Sequence, residues 1–294
     1  MTDMNATVVA EVENLLGESP VWSQREQKLY WVDSRGPTIF RLDPATGLIE
    51  RRGMNSLIGS IGLRTAGTGA LVVAMQDGLH FVNFDTGETL PVVDPETDLP
   101  ENRFNDGRTD RQGRYWTGTM SDVRRDPTGT LYRLDVDHSV ARIRGDVIVP
   151  NSICWSPDSL VMYFADTYRD RIMRYRFDPE TGTLHDEQLF ADTSDRPGRP
   201  DGSTVDADGF LWNAEFGGGR VVRYAPDGRI DRVIPLPVSQ PTSCTFGGKD
   251  LATLFITSAH QRLSAEARTA QPLAGNVFAV SPGVKGLPEP EYAG

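Results

Sequence analysis

One phrase recurs along this chain at a spacing that few architectures share. Residues 20–47, PVWSQREQKLYWVDSRGPTIFRLDPATG, place short apolar runs between turn formers: Val21-Trp22, then 29–33, then 38–43 closed by Pro-Ala-Thr-Gly. Runs of this length bounded by Gly, Pro, Asn and Asp describe an antiparallel meander. The phrase returns at 154–182 as CWSPDSLVMYFADTYRDRIMRYRFDPETG, and weaker copies begin near Leu63, Thr109, Thr204 and Thr245. With Trp22, Leu63, Thr109, Trp155, Val205 and Phe246 as anchors, the copies lie 41, 46, 46, 50 and 41 residues apart. That is the period of a four-stranded propeller blade, whereas solenoids of similar period are mostly helical. No sustained i, i+3, i+4 apolar pattern occurs, and only 263–269 carries a composition suited to a helical turn.

The expected fold is therefore all-β: a six-bladed β-propeller of four-stranded antiparallel blades around a central channel, with 1–294 forming a single domain. Each repeat leaves a sheet face that only its neighbours can cover, so the ring must close. Residues 6–12, ATVVAEV, fit an outer strand for the last blade.

Composition narrows the partners. A formal net charge of −11 argues against a phosphate-backbone ligand, so no nucleic acid is expected. No apolar run approaches the ~18 residues of a membrane span, so no membrane partner is expected either. The opening Met1-Thr2-Asp3-Met4-Asn5-Ala6 lacks the basic and apolar regions of a secretory leader. Cys154 and Cys244 have neither zinc-finger nor CxxC spacing and read as buried, reduced thiols. A cytoplasmic protein is expected, monomeric by default.

In a propeller the innermost strand of each blade lines the channel, so the loops entering those strands converge on one mouth. Four residues before each anchor stand Glu18, Gly59, Asn105, Asn151, Asp201 and Thr242. Taken alone, Asp201-Gly202 is a tight-turn signal, and Asn105 and Asn151 are ordinary turn residues. Their shared offset argues instead for a ring. Two carboxylates, two amides and one hydroxyl, without Cys or His, make a hard-oxygen site suited to Ca²⁺, Mg²⁺ or Mn²⁺.

Five motifs in order, Leu16-Gly17-Glu18-Ser19-Pro20-Val21-Trp22, Arg103-Phe104-Asn105-Asp106-Gly107, Gly118-Thr119-Met120, Pro150-Asn151-Ser152-Ile153 and Pro200-Asp201-Gly202, carry a resemblance over almost the whole chain. The chain resembles the SMP-30/gluconolactonase/luciferin-regenerating family, six-bladed propellers that include calcium-dependent sugar lactonases. The resemblance implies that Glu18, Asn151 and Asp201 bind one divalent cation, calcium first, with zinc, manganese or magnesium as alternatives. It places Asn105 beside the cation near substrate and gives Arg103 a substrate contact. Asp122 stands where some members carry an acidic substrate contact, one methylene shorter than the usual Glu. Asn151-Ser152 replaces the more frequent Asn-Gly.

The implied activity is hydrolysis of a small sugar-derived lactone, such as a glucono- or pentonolactone, to its aldonic acid. The cation would polarise the carbonyl, and either Asp201 or the metal's own effect on water would activate the nucleophile. Two alternatives stay open: an organophosphate ester or non-sugar lactone hydrolase, and a non-catalytic binding propeller with a structural metal. Other signals stay bland. Gly217-Gly218-Gly219 reads as a hairpin loop rather than a phosphate cradle, and Asp206-Ala207-Asp208-Gly209 as a hairpin turn rather than a calcium loop. None of His80, His138, His185 and His260 occupies a ring slot, though His260 is expected near the pocket border. The pocket rim is expected from the segments 121–128, 168–171, 216–220 and 260–272.

Overall fold

The computed structural model describes residues 5–294. The first four residues, part of the opening segment read for a leader, lie outside that range. Six four-stranded antiparallel sheets follow one another around a closed ring. Blades 1 to 5 span 17–53, 58–93, 102–147, 150–192 and 199–235, each built in sequence order from the channel outward. Blade 6 takes three strands from 241–280 and its outer strand from the other end of the chain, where Thr7–Ala10 pairs antiparallel with Val277–Val280. The expected N-terminal closure is thus formed, which leaves no blade missing its outer strand. The expected helical turn is the short helix Ala265–Ala270, capped by Ser264 Oγ accepting from Ala267 N. Among the described residues no helix is long and apolar enough to cross a membrane.

Among the described residues there is no common core. Buried side chains fall into six clusters, each bridging two neighbouring blades, such as Tyr30 and Val32 against Leu71 and Val73, or Trp212 and Ala214 against Phe246 and Ile256. Apolar burial at roughly 25 cal/mol per Å² therefore holds the ring at its interfaces and leaves the axis free to be polar. The Asp residues that close the inner hairpins are consumed locally. Asp206 accepts from Asp208 N, Phe210 N and Trp212 Nε1, and from Arg223, which accounts for 206–209 as a hairpin turn. Residues 217–219 connect two strands of blade 5.

The six inner strands are Gly17–Ser23, Ile58–Leu63, Asn102–Thr109, Pro150–Trp155, Arg199–Val205 and Pro241–Gly247. Every slot residue lies within its strand, not in the preceding loop as expected, and Asp201-Gly202 is strand rather than tight turn. The cause is a β-bulge repeated six times. In each blade the inner strand carries one more residue than its partner between matched pairs, as between Glu18 and Val21 opposite Val32 and Tyr30. An extra residue breaks the period-2 alternation, so side chains before and after it can both face the channel. Ser19 and Ser152, just after two slots, adopt left-handed φ of 49° and 57°. Such values are uncommon for residues with a Cβ.

The end of the chain crosses the opposite mouth. Ala207 N bonds Lys285 O, Tyr292 N bonds Leu63 O, and Ala293 N bonds Gly113 O, so the segment after Val280 spans blades 5, 2 and 3. From it Glu289 enters the channel and pairs with Arg108 at 2.8 Å.

Candidate active site

Glu18, Arg103, Asn105, Asn151 and Asp201, drawn from four blades, line one pocket with Met120, Leu16, Val149 and Thr167. The pocket holds about 120 Å³. A roomier groove of about 560 Å³ lies on the outer edge of blades 3 and 4, but no slot residue reaches it. The chemistry therefore favours the central pocket. Asp122 is not among the pocket's lining residues. Its carboxylate accepts from Arg35 at 2.7 and 2.5 Å and from Arg103 Nε at 2.7 Å.

The remaining slots are occupied differently. Gly59 brings its strand against blade 3, where a Cβ would stand 2.5 Å from the Phe104 carbonyl carbon. The Thr242 hydroxyl is not free as a ligand, because it donates to Gly17 O at 2.5 Å and meets Thr257 Oγ1 at 2.8 Å. It joins blade 6 to blade 1. The hard-oxygen set is thus narrower than the register implied.

Hydrogen bonds aim what remains. Asn151 Nδ2 donates to Thr167 Oγ1 at 2.7 Å, and Thr167 Oγ1 donates to Pro200 O at 2.8 Å. This turns Asn151 Oδ1 away from Thr167 and toward Asn105, whose Nδ2 lies 3.3 Å away. Asn105 in turn donates to Pro150 O and receives Arg103 Nη1 at 3.0 Å. Ser152 Oγ donates to Asp201 O at 2.6 Å, and Asn213 Nδ2 reaches the same carbonyl at 3.0 Å. The departure from Asn-Gly therefore supplies a hydroxyl that ties the backbone of Asp201 to blade 4.

The electrostatics are one-sided. Burial, and then the charge of Asp106, pushes the Glu18 carboxyl up to about 8. Asp201 is raised well above the usual carboxylate range by burial and then by Glu18 and Asp106. Asp106 itself rises to about 6 through burial, although it accepts from Ile153 N and Gly107 N. Burial lowers Arg103, and the like charge of Arg35 adds to this against the pull of Asp122. Like-signed carboxyls packed together favour protonation unless a cation offsets them.

A divalent cation fits this donor set. Among the described residues no group of three or more Asp, Glu, His or Cys side chains forms a closed metal site. The set offered is two carboxylates with an amide oxygen, all hard donors, which suits an oxygen-liking dication with open positions. Glu18, Asn151 and Asp201 would hold it.

Asp106, Ser152 and Thr167 had no role in the sequence-based expectation. The bulge explains Asp106: Asn105 and Asp106 together oppose Gly118, so adjacent residues both serve the channel. His260 does not line the pocket, and its Nε2 meets Glu13 O. Cys154 and Cys244 are free and buried, as expected, with burial pushing the Cys244 thiol up to about 12. The rim takes Arg125, Tyr168, Phe216, Gln261 and Arg262, at least one residue from each of the four expected segments.

A family model described as "SMP-30/Gluconolactonase/LRE-like region" matches residues 16–260. A "6-deoxy-6-sulfogluconolactonase" of Pseudomonas putida is 40% identical over 99% of this chain and 100% of its own length. A "Regucalcin" of Danio rerio is 37% identical over 100% of both chains. The crystal structure of a calcium-binding protein, regucalcin, from Agrobacterium tumefaciens superposes with a TM-score of 0.94 at 33% identity, covering 98% of this chain and 97% of that one.

Proposed function

Since the chain belongs to the SMP-30/gluconolactonase/LRE-like family, we propose that it is a lactonase that opens a small aldonolactone to the aldonic acid at the pocket of Glu18, Asn151 and Asp201. The observation that carries this reading is a buried, uncompensated carboxyl pair set beside Arg103 and Asn105 in one accessible pocket. Glu18, Asn151 and Asp201 would hold a divalent cation, calcium first. When bound, that cation supplies a Lewis acid that polarises the lactone carbonyl.

The chain's own groups do the rest. Arg103 is clamped through Nε by Asp122 and through Nη1 by Phe104 O and Asn105 Oδ1. Among the described residues its Nη2 has no protein acceptor, which leaves a donor for a lactone oxygen or sugar hydroxyl. Asp122 thus orients Arg103 rather than touching substrate. Asp201, held by its backbone to Ser152 and Asn213, takes the proton of the attacking water. Water oxygen bonds to the carbonyl carbon, the acyl–oxygen bond of the ring breaks, and the departing alkoxide is protonated to give the hydroxy acid.

The test is a pH-indicator assay of aldonolactone opening, above the spontaneous rate, by native and Asp201→Ala protein. Each is stripped with chelator and then resupplied with Ca²⁺, Mn²⁺, Mg²⁺ or Zn²⁺. Turnover that disappears on stripping, returns with metal and is absent in Asp201→Ala supports the reading. Native protein inactive on every lactone with every metal overturns it.

A further inference from the structure

The pocket's rim carries charge of the opposite sign to its floor. Arg125, Arg199 and Arg262 all line the mouth. Arg199 Nε pairs with Asp170 at 3.1 Å. Among the described residues, no carboxylate lies within ion-pair distance of Arg125 or Arg262, whereas most of the chain's other arginines have such a partner. Among the described residues, Arg125 Nη1 is buried and this nitrogen has no hydrogen-bond partner. A charged nitrogen removed from water without an acceptor is costly, and the cost is recovered when a ligand supplies one.

The three guanidinium groups gather on one ring. Arg125 stands 4.9 Å and Arg199 4.4 Å from the Tyr168 centroid. Tyr168 can hold two cations by its faces, which keeps them in place without neutralising them. Burial raises its phenol, but the charge of Arg125 and a hydrogen bond from it, and then the charges of Arg199 and Arg262, hold it below its usual value, so all three charges reach the same point. Arginine suits tetrahedral oxyanions because its planar fork presents paired donors to adjacent oxygens. A neutral sugar would leave this charge unmatched.

We propose that Arg125, Arg199 and Arg262 select lactones whose ring substituent ends in a tetrahedral oxyanion, a sulfonate or a phosphate, bound at the rim while the lactone carbonyl lies at Asp201. This rests on the lactonase reading and adds the substrate class to it. The two ends of such a substrate match the two signs of the pocket: the anionic tail meets the arginines, and the uncharged carbonyl meets the carboxyl floor.

The experiment compares kcat/KM for glucono-1,5-lactone with its 6-phosphorylated and 6-sulfonated counterparts, and with a 6-carboxylate lactone as the planar anion. Native protein is set against Arg125→Gln, Arg262→Gln and the pair. The native protein is expected to prefer the phosphate or sulfonate lactone over the neutral one by at least about tenfold, a step that two charge-assisted contacts readily supply. In the double variant that ratio should fall by about tenfold or more, chiefly through KM. A higher kcat/KM for the sulfonate than the phosphate names the former as the tail, and the reverse names the latter.

Equal or better turnover of the neutral lactone overturns the proposal while leaving the lactonase reading intact, and so does a clear preference for the planar carboxylate. Calorimetry with 6-phosphogluconate and gluconate reads the rim without turnover. Tighter phosphogluconate binding that the double variant loses, in a protein that opens no lactone, keeps the anion site and removes the lactonase reading. Equal binding of the two acids removes the anion site.

Discussion

The two mouths of the channel are built from the two ends of the same six strands, yet they treat charge in opposite ways. At the lower mouth the half-buried cation Arg108 is matched inside the chain by Glu289, and Glu289 also meets Thr245 Oγ1 at 3.2 Å. At the upper mouth Arg103 pulls the Glu18 and Asp201 carboxyls down, but burial and the repulsion of neighbouring carboxyls outweigh it and both stand raised. In the rim above them, among the described residues, Arg125 and Arg262 have no carboxylate within ion-pair distance. One end compensates itself and is structure. The other waits for compensation from outside, which is what binding a cation and an anionic substrate would provide.

The sharpest way to break this comparison is to neutralise Asp201. Asp201→Asn should lower lactone turnover by about a thousandfold or more, the range seen for loss of a general base together with an electrostatic group. Its melting temperature in chelator should match or exceed that of the native protein, because a like-charge contact has gone. A variant that loses activity by unfolding would contradict the assignment.

The equivalent change at the other mouth should do the reverse. Glu289→Ala removes the carboxylate that Arg108 pairs with in a half-buried site, while Thr204 Oγ1 and Cys244 O still accept from it, and should cost roughly 1–2 kcal/mol in denaturant unfolding, with turnover close to native. Replacing both members by apolar residues, Arg108→Met with Glu289→Leu, should recover most of that stability. A large turnover loss in the folded Glu289 variant would mean that the mouths are coupled.

Smaller effects refine the upper mouth. Ser152→Gly relieves the left-handed φ of 57° but removes the hydroxyl that fixes Asp201 O. Stability should move by about 1 kcal/mol or less, as the two effects oppose each other. Lactone kcat should fall severalfold while KM changes little, the signature of a positioning residue.

The smallest effect is at Asp122. Burial raises its carboxyl, but bonds from Arg35 and Arg103 prevail and hold it down at about 2. A depressed carboxylate contributes stability above its ordinary value near 4, and that contribution is lost as pH falls toward 2. Acid unfolding of Asp122→Asn should therefore lack part of the native protein's loss between those pH values.

Much of this is legible in the sequence. The repeat of Trp, Tyr-Phe-Ala-Asp and Asp-Pro-Glu-Thr-Gly elements reports the blade, because each blade must rebuild the same turns and the same interface. The slot residues were legible because register carries over between blades. The strand starts were not. A bulge hides them by breaking alternation, so GESPVWS, buried at every position, gives no period-2 pattern. Asp122's true partners were invisible too, since Arg35 lies 87 residues away in another blade. Glu289 sits outside the repeat, so no register could place it in the channel. The rim arginines were within reach: 121–128, 168–171 and 260–272 were expected at the mouth, but which side chains lack partners is a property of the assembled ring.

The most direct test of the uncompensated upper mouth is thermal unfolding of chelated protein from pH 5 to 8.5, repeated with Ca²⁺. Glu18 and Asp201 have folded values raised above their unfolded ones, so their protonated forms favour the fold at low pH, and that stability is lost as pH rises through about 8 for Glu18. The account predicts a melting temperature that falls across this window in chelator, a fall that Ca²⁺ abolishes and that Glu18→Gln reduces without any metal. The same pH profile with and without Ca²⁺ would contradict it.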